Sequence, residues 1–284
     1  MGETPNSGCN PSHSIKLARV AENRRLTAPG NPSDVRHVVL EFARDALAFQ
    51  EGQAVGVPPP GLNQRGRPHP PRLFSVASAR DGEYGDGQSL ALTVKRFFGQ
   101  DPATGAAIPG LASNFLCDCA VGDQVRLTGP LGDLLRIPDD EPGPLLLFAT
   151  GTGVAPMRGL LQRRARSAAA RQFAAALLHG APTADDLAYS QEFEQQARGD
   201  SGLAYLTARS REQTDNAGQR LYVGQLALNH RDQLAPLLAH PALQVLVCGV
   251  RGMEEGVERA IAAIGGEDRL AWLRAEGRWR VEVY

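Results

Sequence analysis

The chain has 284 residues, enough for about two domains at the usual size of roughly 150 residues each. Hydrophobic residues make up 42% and charged residues 21%, and the formal net charge is −1, so a disordered chain is excluded and no global charge attracts nucleic acid or an anionic membrane. Apolar runs such as LLLFA at 145–149 fall far short of the roughly 20 residues of a membrane-spanning helix.

The amino terminus, MGETPNSGCNPSHS, has neither the basic start and apolar stretch of a secretory signal nor the Arg-rich pattern of a transit peptide, so a cytoplasmic location is expected. Short strands follow, broken by turn residues: IKLARVAENRRL, VRHVVLEF, QAVGVPP, RLFSVAS, SLALTVKRF and DQVRLTGP. That pattern predicts an antiparallel barrel or sandwich. The stretch PPPGLNQRGRPHPP at 58–71 reads as a loop, because proline withholds the donor that a sheet needs.

At IPDDEPGP, 137–144, the character changes. Apolar strands now alternate with helical stretches: LLLFAT and a helix from about Pro156 to Arg171, AAALLHG and YSQEFEQQA, LAYLTA and GQLALNHRDQLAPLLA, LQVLVCG and MEEGVERAIAAI, with WRVEVY at the end. Alternation of this kind predicts a doubly wound parallel sheet covered on both faces. The expected division is an antiparallel β-barrel over 1–141 and an α/β nucleotide-binding domain over 142–284, joined at Pro142–Pro144.

Four segments hold residue types suited to ligands. TGTGVAP, 150–156, ends a strand and opens a helix; it is either a phosphate-accepting loop, with backbone N–H groups and a positive dipole end, or a bare tight turn. RLFSVAS, 72–78, puts Arg72, Phe74 and Ser75 on one strand, where a ring can stack on a planar cofactor and Arg can pair with a diphosphate, or where the strand is simply half-buried. Ser210, Arg211, Arg220 and Tyr222 cluster beyond LAYLTA and suit the 2′-phosphate of NADP, the alternative being a solvated loop. Cys248 ends a strand and by itself reads as a small core residue. Cys117 and Cys119 form a C-x-C without neighbouring histidines, so they are read as structural and no metal is expected.

Taken together, EGQAVGV, RLFSVAS, LTVKR, SNFLCD, RLTGPLG, TGTGVAPMR, SREQT, CGVRGME and the terminal WRVEVY resemble the plant-type ferredoxin–NADP(+) reductase family, from about Leu17 to the last residue. The resemblance implies an amino-terminal FAD-binding barrel, a carboxy-terminal NADP-binding domain and the flavin between them. It implies that Arg72, Phe74, Ser75 and Ser78 hold the flavin, that Val94 and Lys95 lie by its adenosine end, and that Ser113 grips its pyrophosphate. Thr152, Gly153, Val154 and Pro156 would line the path of NADP(H), Ser210, Arg211, Arg220 and Tyr222 would take the 2′-phosphate, and Ser75, Cys248, Glu282 and Tyr284 would surround the reacting rings. Phe74 replaces the Tyr common in the family, and Phe97 and Phe98 fall slightly early for stacking on adenine.

The implied activity is ferredoxin–NADP(+) reductase: electrons pass between NADP(H), by hydride to or from flavin N5, and a separate one-electron carrier such as ferredoxin or flavodoxin. No fused iron–sulfur domain is expected, since the cysteine spacing cannot hold a cluster. An acidic carrier needs a basic surface, for which Arg19, Arg24, Arg25, Arg65 and Arg67 are the candidates. One alternative is a reductase component supplying a dedicated oxygenase or epoxidase; another is a non-catalytic flavin- or nucleotide-binding scaffold. A monomer is the default expectation.

Overall fold

A computed structural model describes residues 15–284; the amino-terminal signal reading, with Cys9, lies outside the described residues. The first half forms strands β1 (Lys16–Arg25), β2 (Val35–Glu41), β3 (Ala54–Val57), β4 (Arg72–Ser75) and β5 (Ser89–Lys95), then β6 (Phe98–Gln100), β7 (Ala107–Pro109), helix α1 (Leu111–Asp118) and β8 (Gln124–Leu131). Six of the strands make one antiparallel sheet in the order β4-β3-β8-β1-β2-β5. A bridge from Val76, just past β4, to Leu92 on β5 brings the two edges together, so the sheet curls into a barrel. Val20, Val38, Leu40, Val55, Leu90, Leu92, Val125 and Leu127 fill it, the alternate residues of strands whose other face looks outward.

The second half contains β9 (Leu145–Thr150), α2 (Val154–Arg166), α3 (Ala168–Arg171), β10 (Ala175–Ala181), α4 (Ser190–Gly199), β11 (Leu203–Arg209), α5 (Val223–Asn229), α6 (Arg231–Ala239), β12 (Gln244–Gly249), α7 (Met253–Gly265), α8 (Glu267–Ala275) and β13 (Trp279–Val283). The strands form a wholly parallel sheet in the order β11-β10-β9-β12-β13. Leu146, Phe148, Leu178, Val245 and Val247 face α5 to α8, whereas Leu145, Leu147, Leu177, Leu246 and Cys248 face α2 and α4. Burial on both sides is why these strands read as continuous apolar runs. Among the described residues, no helix is long and apolar enough to cross a membrane.

Several local features depart from the sequence pattern. The hairpin β6–β7 and helices α1 and α8 are additional elements. The stretch expected as one helix to Arg171 breaks at Ser167, which turns extended and accepts a hydrogen bond from Ala170 N–H to start α3. His230, off the helical conformation and making no side-chain cap, divides α5 from α6; Ser167 shows the side-chain route. A polar residue that satisfies a helix start with its own side chain competes with continuation of the helix before it.

Candidate active site

In the sheet order, chain connections leave β9 in one direction for β10 and return to its other side at β12. The carboxyl ends of β9 and β12 therefore border the crevice in which ligands bind to doubly wound folds. Gly151–Gly153 makes a single 3-10 turn there and leads straight into α2. A Cβ on Gly153 would lie 2.2 Å from the Cys248 carbonyl oxygen, so this turn and the end of β12 meet at a distance only glycine allows. No side chain caps α2 and no acid stands in its first turn, so the positive end of its dipole is left without a counter-charge from its own first turn. Val154 and Pro156 are buried within that first turn.

Cys248 is paired in parallel register with Ala149 on one side and Glu282 on the other. Its thiol is 1% exposed, and burial, with the Glu282 charge second, pushes its pKa far up, so it stays a neutral thiol at physiological pH. Burial also raises the Glu282 carboxyl above its ordinary range. Tyr284 donates its backbone N–H to Gly249 O at 3.0 Å and accepts from Arg251 N–H at 3.3 Å. Its hydroxyl lies 2.6 Å from Thr152 Oγ1. The residue as a whole is 56% exposed, with its hydroxyl end held against the turn that opens α2.

The barrel reaches the same place through β4. Phe74 and Ser75 are half-buried at its end, while Arg72 is exposed and donates to Pro70 O at 3.5 Å. Two residues past Ser75, roughly 7 Å along extended chain, Ala77 packs with Val39, Ala91 and Ala155, the last from the first turn of α2. Ser75 is thereby carried to within a few residues' reach of the Gly153 turn. Ser78 lies elsewhere: it is fully buried, its hydroxyl accepts from Ala91 N–H at 3.1 Å, and its carbonyl abuts Gly159, so it joins barrel to helix.

Further along the barrel, Val94 is buried and Lys95 exposed on β5. Ser113 sits in the first turn of α1, accepting from Phe97 N–H at 3.3 Å. That helix, like α2, has neither a side-chain cap nor an acid in its first turn. Phe97 and Phe98 are 61% and 53% exposed beside it. An exposed guanidinium without an acidic partner among the described residues, an uncapped helix and bare aromatic faces are the donors and surfaces that a flavin dinucleotide requires.

Beyond β11 the backbone folds back on itself. Ser210 N–H and Arg211 N–H donate to Ala181 O and Pro182 O at 3.0 and 2.8 Å, and Leu221 N–H to Gln213 O at 3.1 Å, with a bridge between Thr214 and Arg220. Arg211, Arg220 and Tyr222 all stand exposed on this loop, and among the described residues neither guanidinium is engaged in an ion pair. The remaining sequence candidates divide. Cys117 and Cys119 are buried with thiols pushed up to about 11 by desolvation. Of the basic residues considered for docking, Arg24 is paired with Glu22 and Arg25 with Asp34, while Arg65 and Arg67 are exposed.

Sequence reasoning passed over Arg158 and Glu83. Arg158 is 4% exposed in α2 and donates from Nη1 and Nη2 to the two Glu83 oxygens at 2.8 Å each. The available signal was one charged residue inside the apolar run VAPMRGLL.

Residues 147–259 match the family model described as an oxidoreductase NAD-binding domain. Over 278 residues the chain is 34% identical to the cyanelle ferredoxin–NADP reductase of Cyanophora paradoxa, covering 94% of this chain and 76% of that protein. With the ferredoxin–NADP reductase of a Spirulina species the identity is 32%, over 94% of this chain and 95% of the other. Leaf isozyme 1 of the chloroplastic enzyme from Arabidopsis thaliana is 32% identical, over 92% and 75%. Among solved structures, ferredoxin-NADP+ reductase from Plasmodium falciparum superposes with a TM-score of 0.72 at 20% identity, covering 95% of this chain and 96% of that one; this shows the fold.

Proposed function

Because the chain belongs to the ferredoxin–NADP reductase family, we infer that the crevice between β9, β12 and β4 is its active site. The protein is an FAD-dependent oxidoreductase that moves electrons between NADP(H) and ferredoxin. When bound, the flavin exchanges two electrons with the nicotinamide as hydride and single electrons with the carrier. Flavodoxin as a second carrier belongs to the proposal, as do a monomeric state, a cytoplasmic location and the domain boundary at 141/142. Light scattering, cell fractionation and limited proteolysis check those last three.

One observation supports the assignment of the site most strongly: Cys248 and Glu282 stand in register at the switch point, with Tyr284 fastened over them to Thr152. In this reading Thr152, Gly153 and Val154 take the nucleotide along the start of α2, where the positive end of the helix dipole meets its pyrophosphate. Pro156, which needs no hydrogen-bonded N–H in the first turn, starts the helix without loss. Cys248, held as a neutral thiol, packs against the nicotinamide without placing a charge there. Ser75 orients the flavin edge from the barrel side with its hydroxyl, and a raised Glu282 carboxyl holds or returns a proton within the same crevice.

Arg72 pairs with the flavin diphosphate, aided by Ser113 and the start of α1, and Phe74 stacks on the ring system. Val94 and Lys95 border the adenosine end. Ser78 acts through its backbone and its bond to Ala91, setting the end of the Phe74–Ser75 strand. Ser210, Arg211, Arg220 and Tyr222 receive the 2′-phosphate, with a guanidinium pair for its two charges.

A visible spectrum of the purified protein, followed by anaerobic titration with NADPH and separately with NADH, tests this reading. Flavin bands bleached readily by NADPH and far more slowly by NADH are expected, with reduced ferredoxin formed on adding the oxidised carrier. A colourless protein that takes up no FAD and oxidises no NADPH would overturn it.

A further inference from the structure

One face of α2 follows the backbone of residues 77–79 position by position. Ala155 packs on Ala77, and Arg158 Nη1 donates to Ala77 O at 2.9 Å. Gly159 approaches the Ser78 carbonyl so closely that a Cβ would lie 2.7 Å from its oxygen, and Gln162 Oε1 accepts from Ala79 N–H at 3.0 Å. These are positions i, i+3, i+4 and i+7, a single helical stripe. The same segment begins two residues after Ser75, and the same helix begins one residue after Gly153.

Arg158 locks that stripe in place. Beyond its two bonds to Glu83 it donates from Nε to Glu192 at 2.9 Å and lies 4.7 Å over the Tyr189 ring. The Tyr189 hydroxyl in turn meets His37 Nδ1 and Thr93 Oγ1 at 2.9 Å each, and His37 Nε2 stands 3.5 Å from Glu83. Arg158 to Glu83 and to Ala77 O, and Tyr189 to His37 and Thr93, cross between the barrel and the α/β half, while Arg158 to Glu192 ties α2 to α4 behind them. A buried ion pair contributes little net stability beside an apolar pair of similar volume, but its hydrogen bonds are directional. Such a network is suited to fixing an angle and a spacing.

We propose that Arg158 and Glu83 are positioning residues that set the distance between the nicotinamide turn at Gly151–Gly153 and the flavin-facing strand end at Phe74–Ser75. The inference rests on the active-site reading above. Neither residue touches the reacting groups; each acts through the α2 face on segment 77–79.

The test uses Glu83→Gln and Arg158→Lys in the FAD-loaded protein. Glu83→Gln keeps side-chain volume and one acceptor, and so keeps the test open should Arg158→Lys not fold. Reduction of the flavin by NADPH is expected to slow on the order of tenfold to a hundredfold, as misplacement of reacting groups by about an ångström does. Reoxidation of dithionite-reduced protein by ferricyanide, which does not involve α2, is expected to keep its rate. Amide exchange at Ala77 and Ala79 is expected to quicken in the absence of nucleotide. Half-reactions that both stay at wild-type rate, or that fall together, would overturn the proposal, as would unchanged exchange at Ala77 and Ala79. Wild-type protein that holds no FAD would instead count against the active-site reading, and the exchange measurement would still decide the clamp.

Discussion

The Tyr284 hydroxyl lies 2.6 Å from Thr152 Oγ1, so the last residue of the chain is fastened to the turn that opens α2. On the proposed site assignment, nucleotide entering along that turn displaces this contact and the Tyr284 ring.

Breaking the contact alone is the smaller perturbation. A neutral hydrogen bond is worth about 0.5–1.5 kcal/mol net, so Tyr284→Phe is expected to tighten NADP+ binding by roughly 2- to 10-fold. Tyr284→Ser removes the ring as well and is expected to tighten it further, and to lower the KM for NADH more than that for NADPH. Equilibrium titration of the oxidised variants, with steady-state KM values for both nucleotides, checks the order wild type, Phe, Ser.

Glu282 and Glu83 are expected to respond to pH in opposite senses. Burial raises the Glu282 carboxyl above 4.5, so the fold favours its protonated form: the stabilisation is full below about that pH and is lost as pH rises through the raised value. Glu282→Gln should therefore gain thermal stability relative to wild type as pH climbs from 4.5 towards 8. For Glu83, burial alone would raise the pKa, but hydrogen bonds and charges from Arg158 and His37 outweigh it and hold the carboxyl well below 4.5. Its contribution is present above about pH 4.5 and lost as pH falls below it. Glu83→Gln should cost about 1–3 kcal/mol at pH 7 and progressively less in acid. Unfolding curves of the two variants against wild type at pH 4 to 8 check both signs.

Gly151 and Gly153 are both glycine for different reasons, and alanine separates them. At Gly153 the added Cβ meets the Cys248 carbonyl at 2.2 Å, which forces β12 away from the turn; overpacking of this kind costs about 1–3 kcal/mol. Gly153→Ala is expected to lose both that stability and most NADPH-driven flavin reduction. Gly151 has φ +55° and open space around it, so Gly151→Ala carries only the backbone term of about 1–2 kcal/mol and should keep its activity. Thermal midpoints and single-turnover reduction rates distinguish them.

Much of this was legible in the amino-acid sequence because the decisive segments are local. TGTGVAP announces its strand-turn-helix by glycine and proline placement, and the apolar runs around Phe148, Leu178 and Val247 announce a sheet buried on both faces. Helix α1 was hidden because its buried side, Ala112, Leu116 and Cys117, spans barely two turns, too few for a periodic signal. Arg158 and Glu83 were hidden for a different reason. They are 75 positions apart, and only the docking of α2 against the barrel loop makes them partners. Ser78 shows the converse: its motif position marks it as a flavin residue, while its hydroxyl is already taken by Ala91.

Discrimination between NADPH and NADH is expected to reside in Arg211 and Arg220. Both are exposed on a loop whose backbone is tied down at Ala181, Pro182 and Gln213, and among the described residues neither is paired with an acid; Glu212 is occupied with Arg209 at 3.2 Å. A charge-assisted hydrogen bond is worth about 1.5–3 kcal/mol, so Arg211→Ala or Arg220→Ala should raise the KM for NADPH roughly 10- to 100-fold while leaving that for NADH within about twofold. Because the 2′-phosphate contact is ionic and solvent-facing, the wild-type KM for NADPH should also rise with salt and that of the double variant should not. Steady-state kinetics with both nucleotides from low to high ionic strength measures all of these. A loss shared equally by NADPH and NADH would move the 2′-phosphate away from this loop.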